Sequence, residues 1–472
     1  MTCNVLVDHL ARLVTRDEII RRARVRPTPL AGLDQLPSTV AKACLLSAFE
    51  EVFEPWTEVV DILETLLGRA LSHAKETYPD AQTYLAGAYA KEPSSGPPEQ
   101  TCGTGDVRSL AQQPPLRPTK LTCLTGLAGV GKSTLFRALQ RVVGGPLQVN
   151  VNNDHERLKM QLVLYHKQEQ QLAISDNLSS LLCQFSEYLV PKKANIRRLA
   201  QQLRQMVFLR GVSLIIFDEA QIGTLSSEAN AMITRLLLQL RDIGVPVVAG
   251  MNYSLVQKLM RRPAEDRHRL LSDPLVLHPP RVEEFAKYLR ELRAAVPQAF
   301  HRDLDLDEHA GWIHQKTAGL PRYACDLLGI AYECARRDKR QAIEMVDLKR
   351  ASDGEAYFNY REEVEVIQAQ LSDLTRPVHF RGRTKPDLWC PFFARGAGAC
   401  VQRMIAEDKV KEIVLSSVSP SLANKVRQLD VQSSAKDRPT LEKANPSRST
   451  VRPTAQDVAR NLDLVLGRSR RR

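Results

Sequence analysis

The stretch Gly126-Leu-Ala-Gly129-Val130-Gly131-Lys132-Ser133 restricts the fold of this chain more than any other. It follows an apolar, β-rich run, Lys120–Thr125, and leads through Thr134 into an amphipathic helical pattern over Leu135–Val142. A strand, a glycine-rich turn and a helix in that order gather backbone N–H groups at a helix start. Glycines let those groups wrap a phosphate, a lysine adds a point charge, and a serine hydroxyl can face Mg²⁺. Gly126, Gly129, Val130, Gly131, Lys132, Ser133 and Thr134 are therefore candidate nucleotide-binding residues. The competing reading is an ordinary glycine-rich turn. What separates the two is whether the rest of a nucleotide site follows.

It does, about 85 residues downstream, in Val212–Phe217 followed by Asp218 and Glu219. A strand ending in two acids places Asp218 to orient Mg²⁺ through a water ligand and Glu219 to polarise an attacking water. Alone, the pattern also fits a solvated acidic strand end. A third apolar run, Val245–Gly250, ends in Met251 and Asn252. An Asn after a strand is commonly a turn residue, but here its amide would lie between the phosphate loop and the acidic strand. Gly319-Leu-Pro-Arg322 marks a helix start, from which Arg322 can reach a terminal phosphate or simply sit at the surface. Arg267 and Arg269 lie in an arginine-rich stretch, Leu259–Pro274. They are candidates for an arginine finger offered to a neighbouring subunit, or for ion pairs with Glu265 and Asp266.

Strands alternating with the helical patterns Leu135–Val142, Ile196–Leu209 and Ser227–Asp242 predict a doubly wound parallel α/β sheet, with ligand at its carboxyl edge. This core is expected over 119–305. Residues 1–91 read as a helical N-terminal region, with helical spacing in Val40–Phe53 and Thr57–Leu71. A Pro/Gly-rich linker or insertion follows at 92–118, and a helical lid is expected at 306–355. The extension 356–472 is expected to be partly disordered, with an apolar cluster at Trp389–Phe393, a polar stretch at Ser433–Pro453 and a short helix at Ala455–Leu466.

Charge is unevenly placed. The net charge is +12, yet residues 376–472 hold 20 Lys and Arg against 9 Asp and Glu. A largely irregular basic tail suits nucleic acid or an acidic partner, although a merely solvated extension has the same composition. Arg157, Lys159, Lys167, Lys192, Lys193, Arg197 and Arg198 are weaker candidates for phosphate-backbone contacts. Nine cysteines without a C-x-x-C pair predict reduced thiols, and Cys390 and Cys400 are a poor metal pair. With no long apolar run and no signal pattern, a cytoplasmic chain without a membrane partner is expected.

Taken together, the phosphate loop, Asp218-Glu219, Asn252 and Gly319–Arg322 resemble the AAA+ ATPases. More closely, the chain is similar to the TnsC/TniB-type ATPase regulators of bacterial transposition. That likeness rests on Phe217-Asp-Glu-Ala-Gln221, Ala249-Gly-Met-Asn252, Arg267–Leu277 and the N-terminal phrase Thr28–Pro37, and spans residues 24–350. The resemblance implies an AAA+ P-loop core that binds ATP and Mg²⁺, assembles as a ring or helical filament on double-stranded DNA, and connects a target-selector protein to the transposase. Hydrolysis would then disassemble the oligomer. It further implies that Asn252 and Arg322 sense the terminal phosphate, that the tail meets transposase or DNA, and that the protein is bacterial and nucleoid-associated. The 92–118 segment and the long tail exceed the shortest family members.

No acidic set arranged as a DNA-cleaving metal site stands out, so the chain does not read as a transposase. Three alternatives stay open. A replication initiator or helicase loader shares every nucleotide motif, but no winged-helix pattern is evident after 350. A signalling ATPase would bind no DNA and would usually carry repeats, which are absent. A nucleotide kinase fits Asp218-Glu219 and Arg322 less well.

Overall fold

The computed structural model describes residues 5–80, 82, 84–85, 116–150, 157–170, 172–185, 195–224, 227–372 and 388. All belong to the first of two compact units, Met1–Met404. The expectations for Trp389–Phe393, Cys390, Cys400, Ser433–Pro453, Ala455–Leu466 and the tail after Ser372, Leu388 apart, fall outside the described residues, as do Lys192, Lys193 and most of 92–118.

Seven strands are described: β1 (Leu121–Gly126), β2 (Leu147–Val149), β3 (Leu158–Met160), β4 (Val163–Lys167), β5 (Leu214–Asp218), β6 (Val247–Met251) and β7 (Asp273–Leu277). Five of them form one parallel sheet in the order β4-β5-β6-β1-β7, while β2 and β3 pair separately as an antiparallel ribbon. Every residue of β1, β5 and β6 is buried. Strands with no exposed position must be covered on both faces, which is why they read as mainly apolar runs without charged residues before the final position. Edge strands β4 and β7 are only partly buried, and β7 carries Pro274, which suits an edge. The loop-bearing β1 is flanked by β6 and β7, and the acid-bearing β5 lies one strand further out. With helices following the sheet, this is a doubly wound parallel α/β core whose glycine-rich loop lies at the carboxyl end of β1.

The helices are α1 (Val5–Leu13), α2 (Arg16–Ala23), α3 (Ser38–Glu51), α4 (Thr57–Thr77), α5 (Lys132–Val143), α6 (Ile174–Leu182), α7 (Ile196–Leu209), α8 (Ser227–Arg241), α9 (Tyr253–Met260) and α10 (Ala264–Leu270). The lid then contains α11 (Val282–Ala295), α12 (Leu306–Thr317), α13 (Pro321–Arg337), α14 (Met345–Asp353) and α15 (Phe358–Ser372). In packing terms the lid begins earlier than 306. Phe285, Leu289 and Leu292 of α11 are fully buried in a second apolar cluster together with Ile313, Leu327 and Leu328. The helical pattern also runs past 355 into α15, where Tyr360 packs edge-on against Tyr323 at 4.9 Å.

The N-terminal helices divide between the two bodies. Leu10, Leu13, Ile19, Leu63 and Leu66 join the sheet's cluster, whereas Ala41, Leu45 and Phe49 of α3 join the lid's. Gly329 of α13 makes this approach close, since a Cβ there would lie 2.9 Å from Leu46 Cδ2. Lys42 pairs with Glu333 at 2.8 Å. The chain passes from sheet to lid and back through a neck in which Val25 and Phe53 exchange backbone hydrogen bonds of 2.9 and 3.1 Å. Arg24 makes a two-pronged pair with Glu54 beside it, at 2.6 and 2.5 Å.

Candidate nucleotide-binding site

The site starts where β1 runs out. A Cβ on Gly126 would sit 2.5 Å from the Leu277 carbonyl, so only glycine lets β1 and β7 stay in register there. Gly129 and Gly131 follow with φ of +80° and +106°, values that favour glycine. They turn the chain so that Val130 is buried and Gly131 caps α5. Helical bonding resumes with Leu135 donating to Gly131, which leaves the N–H groups of Lys132, Ser133 and Thr134 at an open helix start. Thr134 Oγ1 itself accepts from Arg137 at 3.2 Å.

The Lys132 ammonium bends back onto its own loop, donating to the carbonyls of Gly126 and Leu127, each at 3.0 Å. Burial pushes this amine down to about 8, the charges of Glu219 and Asp218 pull it partly back, and Arg322 lowers it further. A buried ammonium held only by neutral carbonyls favours an incoming anion. Ser133 Oγ donates to Glu219 Oε1 at 3.3 Å, bringing loop and acidic strand together across the sheet edge. Asp218 is 1% exposed, and its Oδ1 accepts from the Glu219 N–H at 2.8 Å. Burial raises its carboxyl above the usual range, opposed by hydrogen bonds from the Glu219 N–H and Tyr165.

Asn252 directly follows β6, the strand that lies between β1 and β5. Its Oδ1 accepts from Leu255 N at 3.1 Å and Ser254 Oγ at 2.9 Å, so the oxygen caps α9. That is the turn role, and it leaves the amide NH₂ as the group that can face a ligand. Arg322 comes from the lid: a Cβ on Gly129 would be 3.0 Å from its Cβ, and its N–H approaches the Gly129 carbonyl at 3.4 Å. Thus the first turn of α13 rests on the phosphate loop. On the neck side, a Cβ on Gly131 would be 3.7 Å from Trp56 Cη2. Trp56 is buried, its indole Nε1 has no hydrogen-bond partner among the described residues, and it lines a cavity of about 220 Å³ with Arg24, Glu54, Thr57, Glu284 and Lys287.

No protein-family model matches the sequence, and no curated protein matches it. Solved structures are similar at low levels. Cdc6p from Pyrobaculum aerophilum is 14% identical, with 61% of this chain and 80% of that one covered and a TM-score of 0.37. The ORC1 protein of Aeropyrum pernix in complex with DNA is 19% identical over 55% and 63%, TM-score 0.35. The RuvB Holliday junction branch migration motor of Thermotoga maritima is 14% identical over 55% and 72%, TM-score 0.32. Likeness at this level leaves the chain to be read from its own strand order and site.

Other expected residues are not gathered at the loop. Arg269 bonds Glu265, and Arg262 pairs with Asp266 at 3.3 Å, so the helix-surface ion-pair reading is realised for this cluster. Arg267 reaches the Met260 carbonyl at 3.5 Å. Nor do the basic candidates form one patch. Arg197 and Arg198 open α7, while the Lys159 backbone carbonyl accepts from Arg210 beyond the far end of the same helix, a separation of about 20 Å along its axis. Lys167 stands elsewhere again, in register with Asp218. Arg157 is exposed just before β3. These positions were grouped by charge density alone, which carries no information about direction.

Three contributors escaped sequence reasoning. Tyr165 of β4 donates to Asp218 Oδ2 at 3.2 Å. Gln221 donates to Glu219 Oε2. Gly250 makes room for both the acid and α5, because a Cβ there would lie 2.7 Å from Asp218 Oδ1 and 2.5 Å from Phe136 Cε2. Gly250→Ala is therefore expected to cost about 1–3 kcal/mol by overpacking, seen as a lower thermal midpoint; an unchanged midpoint would show that Phe136 can give way freely.

Proposed function

We propose that this chain is an ATP-dependent, DNA-binding regulator of transposition. It assembles on duplex DNA as a ring or filament, links a target-selecting protein to a transposase, and disassembles on hydrolysis. The observation that carries the nucleotide part is the convergence of Lys132, Ser133, Asp218 and Glu219 at one sheet edge, with Arg322 brought onto the same loop by the lid. The transposition part is supported by the sequence likeness over Phe217–Gln221, Ala249–Asn252 and Arg267–Leu277.

In this reading the N–H groups of the α5 start and the Lys132 ammonium bind the phosphates, with the base toward Trp56. Ser133, and Asp218 through water, would hold Mg²⁺, which supplies neutralisation of phosphate charge. Glu219 accepts the proton of the attacking water, Asn252 orients that water or the terminal phosphate, and Arg322 reports that phosphate to the lid. Arg267, with no carboxylate partner among the described residues, is the better finger toward a neighbouring subunit, and Arg269 the alternative. Lys159, Lys167, Lys192, Lys193, Arg197, Arg198 and the basic tail are the proposed DNA contacts.

The test is binding to random-sequence duplexes of graded length with ATP, ADP or a non-hydrolysable analogue. Cooperative, length-dependent binding that needs the triphosphate is expected. Binding confined to one sequence would turn the reading to a replication initiator, and no binding in any nucleotide state would leave a protein switch.

A further inference from the structure

The four residues His278–Arg281 carry the chain from the end of β7 to the start of α11, and so from sheet to lid. They are gripped twice. Glu58 of α4 accepts from the His278 N–H through Oε2 at 2.8 Å and from its Nδ1 through Oε1 at 2.7 Å. Helix α4 buries Leu63 and Leu66 in the sheet's cluster, so this grip belongs to the sheet. Two residues on, His314 Nε2 lies 3.0 Å from the Pro280 carbonyl. A carbonyl can only accept, so Nε2 carries the proton and donates. His314 belongs to α12, and its ring stands edge-on at 5.2 Å to Phe285, which is buried in the lid's cluster. Between the sheet's grip and the lid's lies Pro279, whose ring fixes φ.

The same imidazole supports the turn that delivers Arg322. Gly319 has a φ of +67°, and a Cβ there would fall on the ring, 2.9 Å from Cδ2 and 3.0 Å from Cε1. The Gly319 N–H donates to the His314 carbonyl at 2.9 Å, and Pro321 then opens α13 with Arg322 against Gly129. One side chain thus meets the linker and the sensing turn at once. Resting on the proposed function, we infer that His314 is a positioning residue that locks the Arg322 turn to the sheet-to-lid linker, so that Arg322 is held ready for a terminal phosphate. Without the lock, the turn must be ordered each time Arg322 reaches that phosphate, and the cost falls on ATP alone because ADP lacks the group. By reciprocity a bound triphosphate fixes the lid about Pro279.

Calorimetric titration of the full chain without DNA, using ADP and a non-hydrolysable ATP analogue, tests this in wild type, His314→Gln, His314→Met, Arg322→Ala and the His314→Met, Arg322→Ala double variant. Methionine fills similar volume without a donor, whereas the glutamine amide can still donate to Pro280. In His314→Met the preference for triphosphate over ADP is expected to fall about five- to tenfold, the scale of one hydrogen bond, with ADP affinity unmoved. His314→Gln is expected to keep most of that preference, and the double variant to match Arg322→Ala, because His314 acts through Arg322. Both affinities are read on the same folded fraction, so a lowered thermal midpoint alone leaves their ratio intact. Should His314→Met fold too poorly to titrate, His314→Leu carries the same prediction. A preference unmoved in His314→Met, lost equally in His314→Gln, or lost additively in the double variant overturns the inference and leaves Arg322 as the sensor. A preference unmoved in Arg322→Ala is a different outcome: it removes the sensing role that the proposed function gives Arg322, and this inference with it.

Discussion

Lys132→Ala is expected to weaken ATP binding by about 30-fold or more while leaving the nucleotide-free protein as stable as before, or slightly more so. The two halves have one cause. The ammonium is buried against the Gly126 and Leu127 carbonyls, and burial already drives it toward its neutral form, to about 8. An empty site therefore gains little from this charge. A bound triphosphate gains a great deal, since truncating one member of a desolvated, hydrogen-bonded charge pair costs roughly 2–5 kcal/mol, or about 30- to several thousand-fold in affinity. Lys132→Arg is not a safe substitute, because a planar fork does not fit where a point charge bends back onto two carbonyls. Calorimetric titration with ATP, beside a thermal melt without it, reads both halves. Affinity retained within threefold would remove Lys132 from the phosphate site, and a large loss of stability would make it a structural lysine.

Which parts of this site were legible depended on whether the chemistry repeats along the chain or across it. Lys132, Ser133, Asp218 and Glu219 declare themselves through local spacing after buried strands, and β1, β5 and β6 are visible because complete burial keeps charge out of their interiors. The edge strand β4 alternates between half-buried and buried positions and ends in Lys167, and β7 holds Pro274, so neither reads as a core strand. Amphipathic spacing marked α3 as a helix but cannot say which cluster takes its apolar face. Tertiary contacts place it on the lid: Leu45 and Phe49 in the lid's cluster, Lys42 on Glu333 and Leu46 against Gly329. The start of the lid at Val282 was hidden for the same reason, because Phe285 and Leu289 would serve either body equally well. Tyr165 and Gly250 act across neighbouring strands, where register decides contact. Asn252 shows the opposite case: its position was legible, but one residue serves as helix cap through its oxygen and is free to serve a ligand only through its nitrogen.

Glu219→Gln is expected to separate binding from hydrolysis. The swap keeps volume and leaves an oxygen that can still accept from Ser133 Oγ, so the loop and the acidic strand stay linked. What it removes is the charge that accepts a proton from water. Loss of a positioned general base costs roughly 10²- to 10⁴-fold, and ATP affinity is expected to stay within about threefold because Lys132 and the α5 start are untouched. If disassembly is driven by hydrolysis, the variant in ATP must behave on DNA as wild type does with a non-hydrolysable analogue: it loads cooperatively and then fails to leave. Following release from a long duplex after dilution, with phosphate production measured in the same sample, distinguishes the cases. Slow hydrolysis with fast release would cut the link between the nucleotide cycle and disassembly, while unchanged hydrolysis would move the base elsewhere. The backbone at Glu219 lies at a φ of +58°, so a thermal melt of the variant beside the rate assay checks that the turn is kept. A fall in rate with an unchanged midpoint and unchanged ATP affinity then reports the lost charge and not a rearranged loop.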